Sequence, residues 1–183
     1  ILTVSISLLV LGTFACVMSY NSTVEMVQSS MTAAVQIASD RSYWELRSYS
    51  NIARELGTTP QLSDPNTTDS EISELMQQTI TQHELQSCNL IKPNGDCLDG
   101  NNYSDREYFK NAMNGSVTIT SPMVSRVTGE IMVIIAAPVW KDGIMGSEPA
   151  GCIILVPDTE FLNDIVRDIK VSENCRAYII NKD

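Results

Sequence analysis

The first twenty residues constrain the fold of this chain more than any other stretch. Residues 1–20 (ILTVSISLLVLGTFACVMSY) carry no charged side chain and are about as long as a helix that crosses a lipid bilayer. A cleaved signal peptide is the competing interpretation, because Ser, Thr and Gly interrupt the apolar run. We predict a transmembrane helix here. Since the chain starts at Ile1 rather than Met, we expect this helix to be truncated at its start.

Residues 21–57 predict one long helix directly after the membrane span. Asn21 or Ser22 can cap its start, and Gly57 with Pro60 can end it. Its length fits a stalk, and its first stripe can pair with a second copy, which predicts a homodimer. Alternatively, this first stripe packs on the chain's own sheet. For a second stripe further along the helix, packing on the sheet is the preferred interpretation. The stripes comprise Val24, Val27, Met31, Ala34 and Ala38, then Trp44, Leu46, Tyr49, Ile52, Ala53 and Leu56.

Residues 58–183 predict an α+β module with an antiparallel sheet and helices on one side. Asp69 or Ser70 can cap a helix that ends near residue 84. A hairpin over residues 85–98 is expected to turn at PNGD, because Asn-Gly is the preferred two-residue turn. The remaining predicted elements are strands at 116–126, 130–140, 151–156 and from 175 to 181, and a helix at 158–170.

Charge and composition exclude several classes of function. The net charge is −10, without a basic stripe, which disfavours nucleic acid as a partner. The chain has one histidine, His83, and no C-x-x-C spacing, so we expect neither a zinc site nor a cofactor. No nucleophile accompanies His83, and no phosphate-binding loop is present, so we do not expect an enzyme. A Cys88–Cys97 disulfide is disfavoured, because the expected hairpin register does not place the two opposite each other.

The stretch NNYSDREYFKNAMNG predicts a loop followed by a short helix that Asp105 caps and Gly115 ends. Within four positions it places Arg106, Tyr108 and Phe109. A guanidinium beside aromatic rings can bind a carboxylate, with the rings forming walls and a hydroxyl donating a hydrogen bond. The alternative is a surface Arg106 stacked on Tyr108, with Phe109 in the core.

From about residue 20 onward the sequence resembles the double Cache family of bacterial extracytoplasmic sensor domains. The resemblance rests on DREYFKNAMNG, a strand opening with SP, a TG turn, a strand ending in PV, and a Gly-led strand closing on FL. It implies a PAS-like, membrane-distal module, with a smaller proximal module after Asp183.

In the amino-acid-binding branch of that family, the pocket carries a Tyr, an Arg-x-Trp-Tyr motif and a later Asp. Arg106 matches the Arg, whereas Tyr108 and Phe109 take the places of the Trp and Tyr. Tyr103 precedes the Arg at a shorter spacing, and Val156 stands where the Asp would be. An ammonium group would therefore lack its counter-charge, and burying an unpaired charge is costly.

The resemblance thus implies a binder of small organic acids rather than of amino acids. Arg106 would hold the carboxylate, Tyr108 would donate a hydrogen bond, and Phe109 would form a wall. Met123, Ala136 and Val156 would line the cavity from the sheet. A pyrimidine or purine is the alternative ligand, and an amino acid is a further alternative.

The expected function is that of an extracytoplasmic sensor domain of a transmembrane chemoreceptor in the cell membrane. A histidine kinase or cyclic-nucleotide output is the first alternative, and a membrane-anchored structural domain that binds no ligand is the second.

Overall fold

The computed structural model describes residues 2–125, 129 and 131–158. The chain divides into two units, of which the first comprises residues 1–42 with 164–180 and the second residues 43–163 with 181–183. The predicted helix beyond Asp158, the strand at 175–181 and Thr128 of the second hairpin fall outside the described residues. All the site residues considered below belong to the second unit.

Helix α1 (Leu2–Gly57) supplies every described residue of the first unit. Its N-terminal part is apolar enough to cross a bilayer, with a mean hydropathy of 1.6 over the richest window. The predicted helix start at Asn21 or Ser22 is wrong, because the helix runs through this point without a break. The hydroxyl of Thr23 donates to the carbonyl of Ser19 at 2.8 Å, so this residue type is accommodated inside the helix.

In the second unit, residues 43–57 of α1 pack on the sheet as the second stripe predicted. Ala53 is fully buried, and Leu46, Tyr49, Ile52 and Leu56 pack around the same core. Trp44 is an exception, because 64% of its surface is exposed.

Helix α2 (Asp69–His83) covers the same face of the sheet as α1, as expected. Its cap is Thr68, not Asp69 or Ser70: the Thr68 side chain accepts from the Glu71 N–H, and Glu71 accepts from the Thr68 N–H. Ile72 and Met76 on its inner side are buried against the sheet.

The central sheet is antiparallel with the strand order β1-β6-β5-β2. Its members are β1 (Leu85–Ile91), β2 (Thr118–Ile119), β5 (Ile135–Trp140) and β6 (Pro149–Pro157). A separate pair of strands, β3 (Met123–Val124) and β4 (Ile131–Met132), belongs to the second predicted hairpin. Thr118 pairs with Ala136, and Met123 pairs with Met132, so this hairpin is confirmed. The α+β fold class is therefore confirmed.

The turn after β1 differs from the predicted Asn-Gly turn. The Gly95 N–H donates to the Lys92 carbonyl at 2.8 Å, so Pro93 and Asn94 form the centre of the turn. Gly95 follows with φ of +89°, a conformation that favours glycine. The longer turn brings Cys97 opposite Ile91, and Cys88 points to the other side of the sheet. Cys88 and Cys97 are both free thiols.

The two faces of the sheet are covered differently. We call the face that packs on α1 and α2 the packed face; it carries Ile135, Ala137, Val139, Ile153 and Leu155. We call the opposite face the cavity face; it carries Ala136, Cys152, Ile154 and Val156. Helix α3 (Glu107–Met113) packs on the cavity face, so the expectation that all helices lie on one side is wrong. Tyr108, Phe109 and Ala112 of α3 are buried there.

Candidate functional site

A cavity of about 210 Å³ lies on the cavity face, between the sheet and the segment that leads into α3. Five of the seven predicted site residues line it: Tyr103, Arg106, Tyr108, Met123 and Val156. Tyr103, Arg106 and Tyr108 line it from the segment that leads into α3, and Met123 and Val156 line it from the strands.

The loop that precedes α3 is held in place by its own hydrogen bonds. The Tyr103 N–H donates to the Gly95 carbonyl at 2.8 Å, and the Cys97 N–H donates to the Asn101 carbonyl at 2.9 Å. The Asn102 side chain donates to the Asp96 carboxylate at 2.8 Å. These bonds fold residues 95–104 back on themselves, which fixes the position of Tyr103 at the cavity.

Arg106 occupies the N-cap position of α3. The predicted cap residue, Asp105, is therefore wrong by one position. The side chain of Arg106 makes no capping hydrogen bond. Its extended backbone (φ −76°, ψ 136°) and a hydrogen bond from its N–H to the Tyr103 carbonyl, 3.0 Å, direct the chain from the loop into the helix. Gly115 lies just past the helix end with φ of +82°, as predicted.

The Arg106 side chain is half-buried at the cavity, and its Nε is buried without a hydrogen-bond partner in the part of the chain that the structure describes. A buried donor without a partner costs free energy, about 1–3 kcal/mol and more for a charged group. A carboxylate is the natural acceptor, because it can take two parallel hydrogen bonds from a guanidinium. The geometry thus favours an anionic group next to Arg106.

Tyr103 and Asp99 form a hydrogen-bonded pair at the cavity. The Tyr103 hydroxyl donates to Asp99 Oδ2 at 2.6 Å, and the Asn101 N–H donates to Asp99 Oδ1 at 2.9 Å. Burial alone would raise the pKa of the Asp99 carboxyl. The hydrogen bonds from Tyr103, Asn101 and Cys97 outweigh that effect, so the pKa lies below its usual value and Asp99 is ionised at neutral pH.

Tyr108 is the second tyrosine at the cavity. Burial raises the pKa of its hydroxyl to about 12, although the positive charge of Arg106 opposes the shift. The phenol is therefore protonated at neutral pH, and it can donate a hydrogen bond beside the guanidinium.

Phe109 and Ala136 are buried beneath the cavity and are not among the residues that line it. On a helix, consecutive side chains point about 100° apart, so when Tyr108 faces the cavity Phe109 turns into the core. Ala136 is fully buried between its partners Thr118 and Ile154, and its side chain is short. Phe109 is therefore a core residue, as the alternative interpretation expected.

Several lining residues were missed by the sequence analysis. Ser87 and Asn89 of β1 had a usable signal, because these polar residues alternate with the core residues Cys88 and Leu90. Asp99 had none, since a carboxylate in a polar loop is ordinary. The other missed residues are Val124, Ser125, Met132, Ile134 and Ile154.

A neighbouring groove of about 540 Å³ shares Arg106, Tyr108 and Met123 with the cavity. It continues along α3 to Asn111 and along the strand segment at Thr118. These three shared side chains therefore form the boundary between the inner cavity and the more polar groove.

The described residues contain no group of His, Cys, Asp and Glu that could hold a metal ion. His83 lies in the last turn of α2, which packs on the opposite face of the sheet. It does not line the cavity. The chemistry that these residues supply at the cavity is therefore hydrogen bonding and charge pairing.

Comparison with solved structures finds the same fold in sensor domains. The ligand-binding domain of the Campylobacter jejuni chemoreceptor Tlp3, in complex with 4-methylisoleucine, matches with a TM-score of 0.64 and 12% identity over 76% of this chain and 63% of that one. The sensor domain of the V. cholerae histidine kinase DctB matches with a TM-score of 0.63 and 18% identity over 76% of this chain and 57% of that one.

The ligand-binding domain of the Pseudomonas aeruginosa amino-acid chemoreceptor PctC, in complex with GABA, has a TM-score of 0.57 and 17% identity over 71% of this chain and 63% of that one. This chain thus covers less than two thirds of each of these domains. No protein-family model matches the chain, and no curated protein matches it.

The chain has the fold of ligand-binding sensor domains from chemoreceptors and histidine kinases, as the resemblance to the double Cache family implied. At these identities the likeness concerns the fold. These neighbours are sensory domains rather than enzymes. The side chains at this chain's own cavity determine which ligand it can bind.

Proposed function

We propose that this protein is an extracytoplasmic sensor domain that binds a small organic acid in the cavity on the cavity face. The buried, unpartnered Nε of Arg106 carries this proposal. In the bound state a carboxylate of the ligand accepts hydrogen bonds from the guanidinium, and the Tyr108 hydroxyl donates a further bond. Part of the binding energy comes from satisfying the Arg106 Nε–H, which otherwise lacks a partner among the described residues.

The size of the cavity supports a small metabolite. Its volume of about 210 Å³ lies below the range of about 300–1,000 Å³ that is usual for sites of drug-sized ligands. Apart from Arg106 and Asp99, the lining consists of uncharged residues, among them Met123, Ile154 and Val156. Such walls suit a short aliphatic chain next to the charged end of the ligand.

The proposed placement in the cell follows from α1. Residues 1–20 would span the membrane, residues 21–57 would form the stalk, and residues 58–183 would form the membrane-distal sensor module. All side chains from Val4 to Thr32 in the described helix are exposed, as a bilayer-spanning segment and a dimer contact both require. A homodimer through this helix is part of the proposal.

The proposed output is chemotaxis, as in the Tlp3 and PctC receptors. A histidine kinase is the second candidate, because the DctB sensor domain matches this fold about as well. In either case the ligand would act by favouring one packing of the sheet against residues 43–57 of α1, provided that it binds the two states with different affinity.

A thermal-shift screen of small organic acids, amino acids and nucleobases, followed by calorimetry on the binders, tests the proposal. We expect an acid to bind, and Arg106→Gln to weaken its binding by about 2–5 kcal/mol. Lys110→Gln is the matched control, since it removes one positive charge from the exposed side of the same helix. Binding that survives Arg106→Gln undiminished, or a screen in which no carboxylate binds, would contradict the proposal.

A further inference from the structure

The cavity contains a negative charge that the sequence analysis did not anticipate. Among its lining residues in the described part of the chain, Arg106 and Asp99 are the two that carry charge. The later strand position at which the family carries its Asp is Val156 here, an apolar residue on β6. A carboxylate is thus present at the cavity, but it comes from the loop before α3.

Asp99 is fixed rather than free to turn away. Its two carboxylate oxygens accept from different donors, Oδ2 from the Tyr103 hydroxyl at 2.6 Å and Oδ1 from the Asn101 N–H at 2.9 Å. Tyr103 is itself buried and lines the cavity. These hydrogen bonds, together with one from Cys97, hold the carboxylate in its ionised form at the cavity.

We propose that Asp99 is the residue that determines the charge of the ligand: it favours a carboxylate that also carries an ammonium group and disfavours a second carboxylate. The inference rests on the proposed function, because it assumes that Arg106 binds the first carboxylate. A dicarboxylate would bring its second charge close to Asp99, whose exposed side chain lines the cavity, and like charges placed next to each other disfavour binding. An ammonium group carries the opposite charge and is attracted to the Asp99 carboxylate.

The test uses the full chain and two matched sets of ligands in calorimetry. One set is propanoate, L-alanine and methylmalonate; the other is pentanoate, 5-aminopentanoate and adipate. Within each set only the ammonium group or the second carboxylate changes, at the α or at the ω position. We expect the preferred set to bind in the order amino acid, monocarboxylate, dicarboxylate, with about tenfold or more between the first and the last.

Three variants make the result specific. Asp99→Asn should reduce the preference for the amino acid over the dicarboxylate by about tenfold or more. Tyr103→Phe should reduce it less, because it removes only the bond that orients Asp99. Glu107→Gln is the matched control: it removes a negative charge near the same cavity, but Glu107 is exposed and does not line the cavity. A structural role of Asp99 would lower the melting temperature without changing this preference.

The outcomes separate this inference from the proposed function. A dicarboxylate that binds best, with affinity that depends on Arg106 and not on Asp99, overturns the inference and leaves the proposed function intact. Equal preferences in Asp99→Asn and the unmodified protein also overturn it. If none of the six compounds binds, selection by Asp99 is refuted, and the wider screen described above decides whether the cavity binds any acid.

Discussion

The two faces of the central sheet use the same strands and do different work. On the packed face, Ile153 and Leu155 are fully buried against α1 and α2, and all members of that core are apolar or neutral. On the cavity face, the neighbouring residues Ile154 and Val156 border a cavity with a guanidinium and a carboxylate. Alternation along one strand therefore separates a surface that stabilises the fold from a surface that is available for a ligand.

The contrast separates the residues that stabilise the fold from the residues that are available for ligand binding. A well-packed apolar core contributes most of the free energy of folding, and it leaves no room for a ligand. The cavity face is packed less completely, and it contains a donor, Arg106 Nε, that has no partner among the residues that the structure describes. Both features lower stability and both favour binding, so substitutions on the packed face should mainly change stability and those on the cavity face should mainly change ligand binding.

The largest effect should come from the adjacent residues Ile153 and Ile154. Ile153→Ala leaves a hole in the packed face, and we expect a loss of about 2–5 kcal/mol in the free energy of unfolding. Ile154→Ala should cost about 2 kcal/mol, the low end of that range, because part of its side chain already borders a cavity. Urea denaturation measures both. Equal losses would remove the distinction between the faces.

The two faces can also be compared by removing one tyrosine hydroxyl from each and measuring the affinity for the ligand. Tyr108→Phe should weaken binding of the acid by about 0.5–1.5 kcal/mol, the usual net value of one hydrogen bond, without a comparable loss of stability. Tyr49→Phe is the control, because Tyr49 packs against the core of the packed face. Calorimetry on both variants would count against the assigned role of Tyr108 if they bound the acid equally well.

A separate expected effect is a decline of stability in alkaline solution. Burial raises the pKa of Cys88 and Cys152 to about 12 and of Cys97 to about 11, and the pKa of Tyr108 rises to about 12. The unfolded chain loses these protons near the ordinary values, about 8.5 for Cys and 10 for Tyr. Above pH 9 the unfolded state therefore binds fewer protons than the folded state, and the free energy of unfolding falls as pH rises toward 12.

Urea denaturation between pH 8 and 11 measures this decline. Of the four groups, Cys97, Cys152 and Tyr108 belong to the cavity-face core and only Cys88 to the packed-face core. Tyr108→Phe should make the decline less steep above pH 10, because one of the protons no longer contributes. A stability that stays constant over this range would show that these groups are not held protonated by burial.

Sequence reasoning succeeded where a periodic pattern determines the structure. The stripe from Leu46 to Leu56 predicted the helix on the packed face, because apolar residues three or four positions apart define one side of a helix. Residues 151–156 predicted a buried strand. Because that strand is apolar on both faces, the pattern could not tell which residues border the cavity, and Ile154 was missed.

The rest depended on contacts between distant parts of the chain. Ser87 and Asn89 reach the cavity because β1 pairs with β6, placing them beside Val156 and Ile154. Asp99 reaches it through a loop whose shape depends on the turn at Gly95 and on the bond to Tyr103. The predicted helix start at Asn21 was wrong because it relied on a local capping signal alone. The helix continues through that residue.

The central claim is that the Arg106 Nε–H, buried at the cavity, finds its partner in a ligand carboxylate. Proton–nitrogen NMR of arginine side chains tests it most directly, with Arg54 on the exposed side of α1 as the internal reference. On saturation with the tightest-binding acid from the screen, we predict that the Arg106 Nε–H resonance shifts downfield while that of Arg54 stays in place. Saturation by the acid with no shift of the Arg106 resonance would contradict the account.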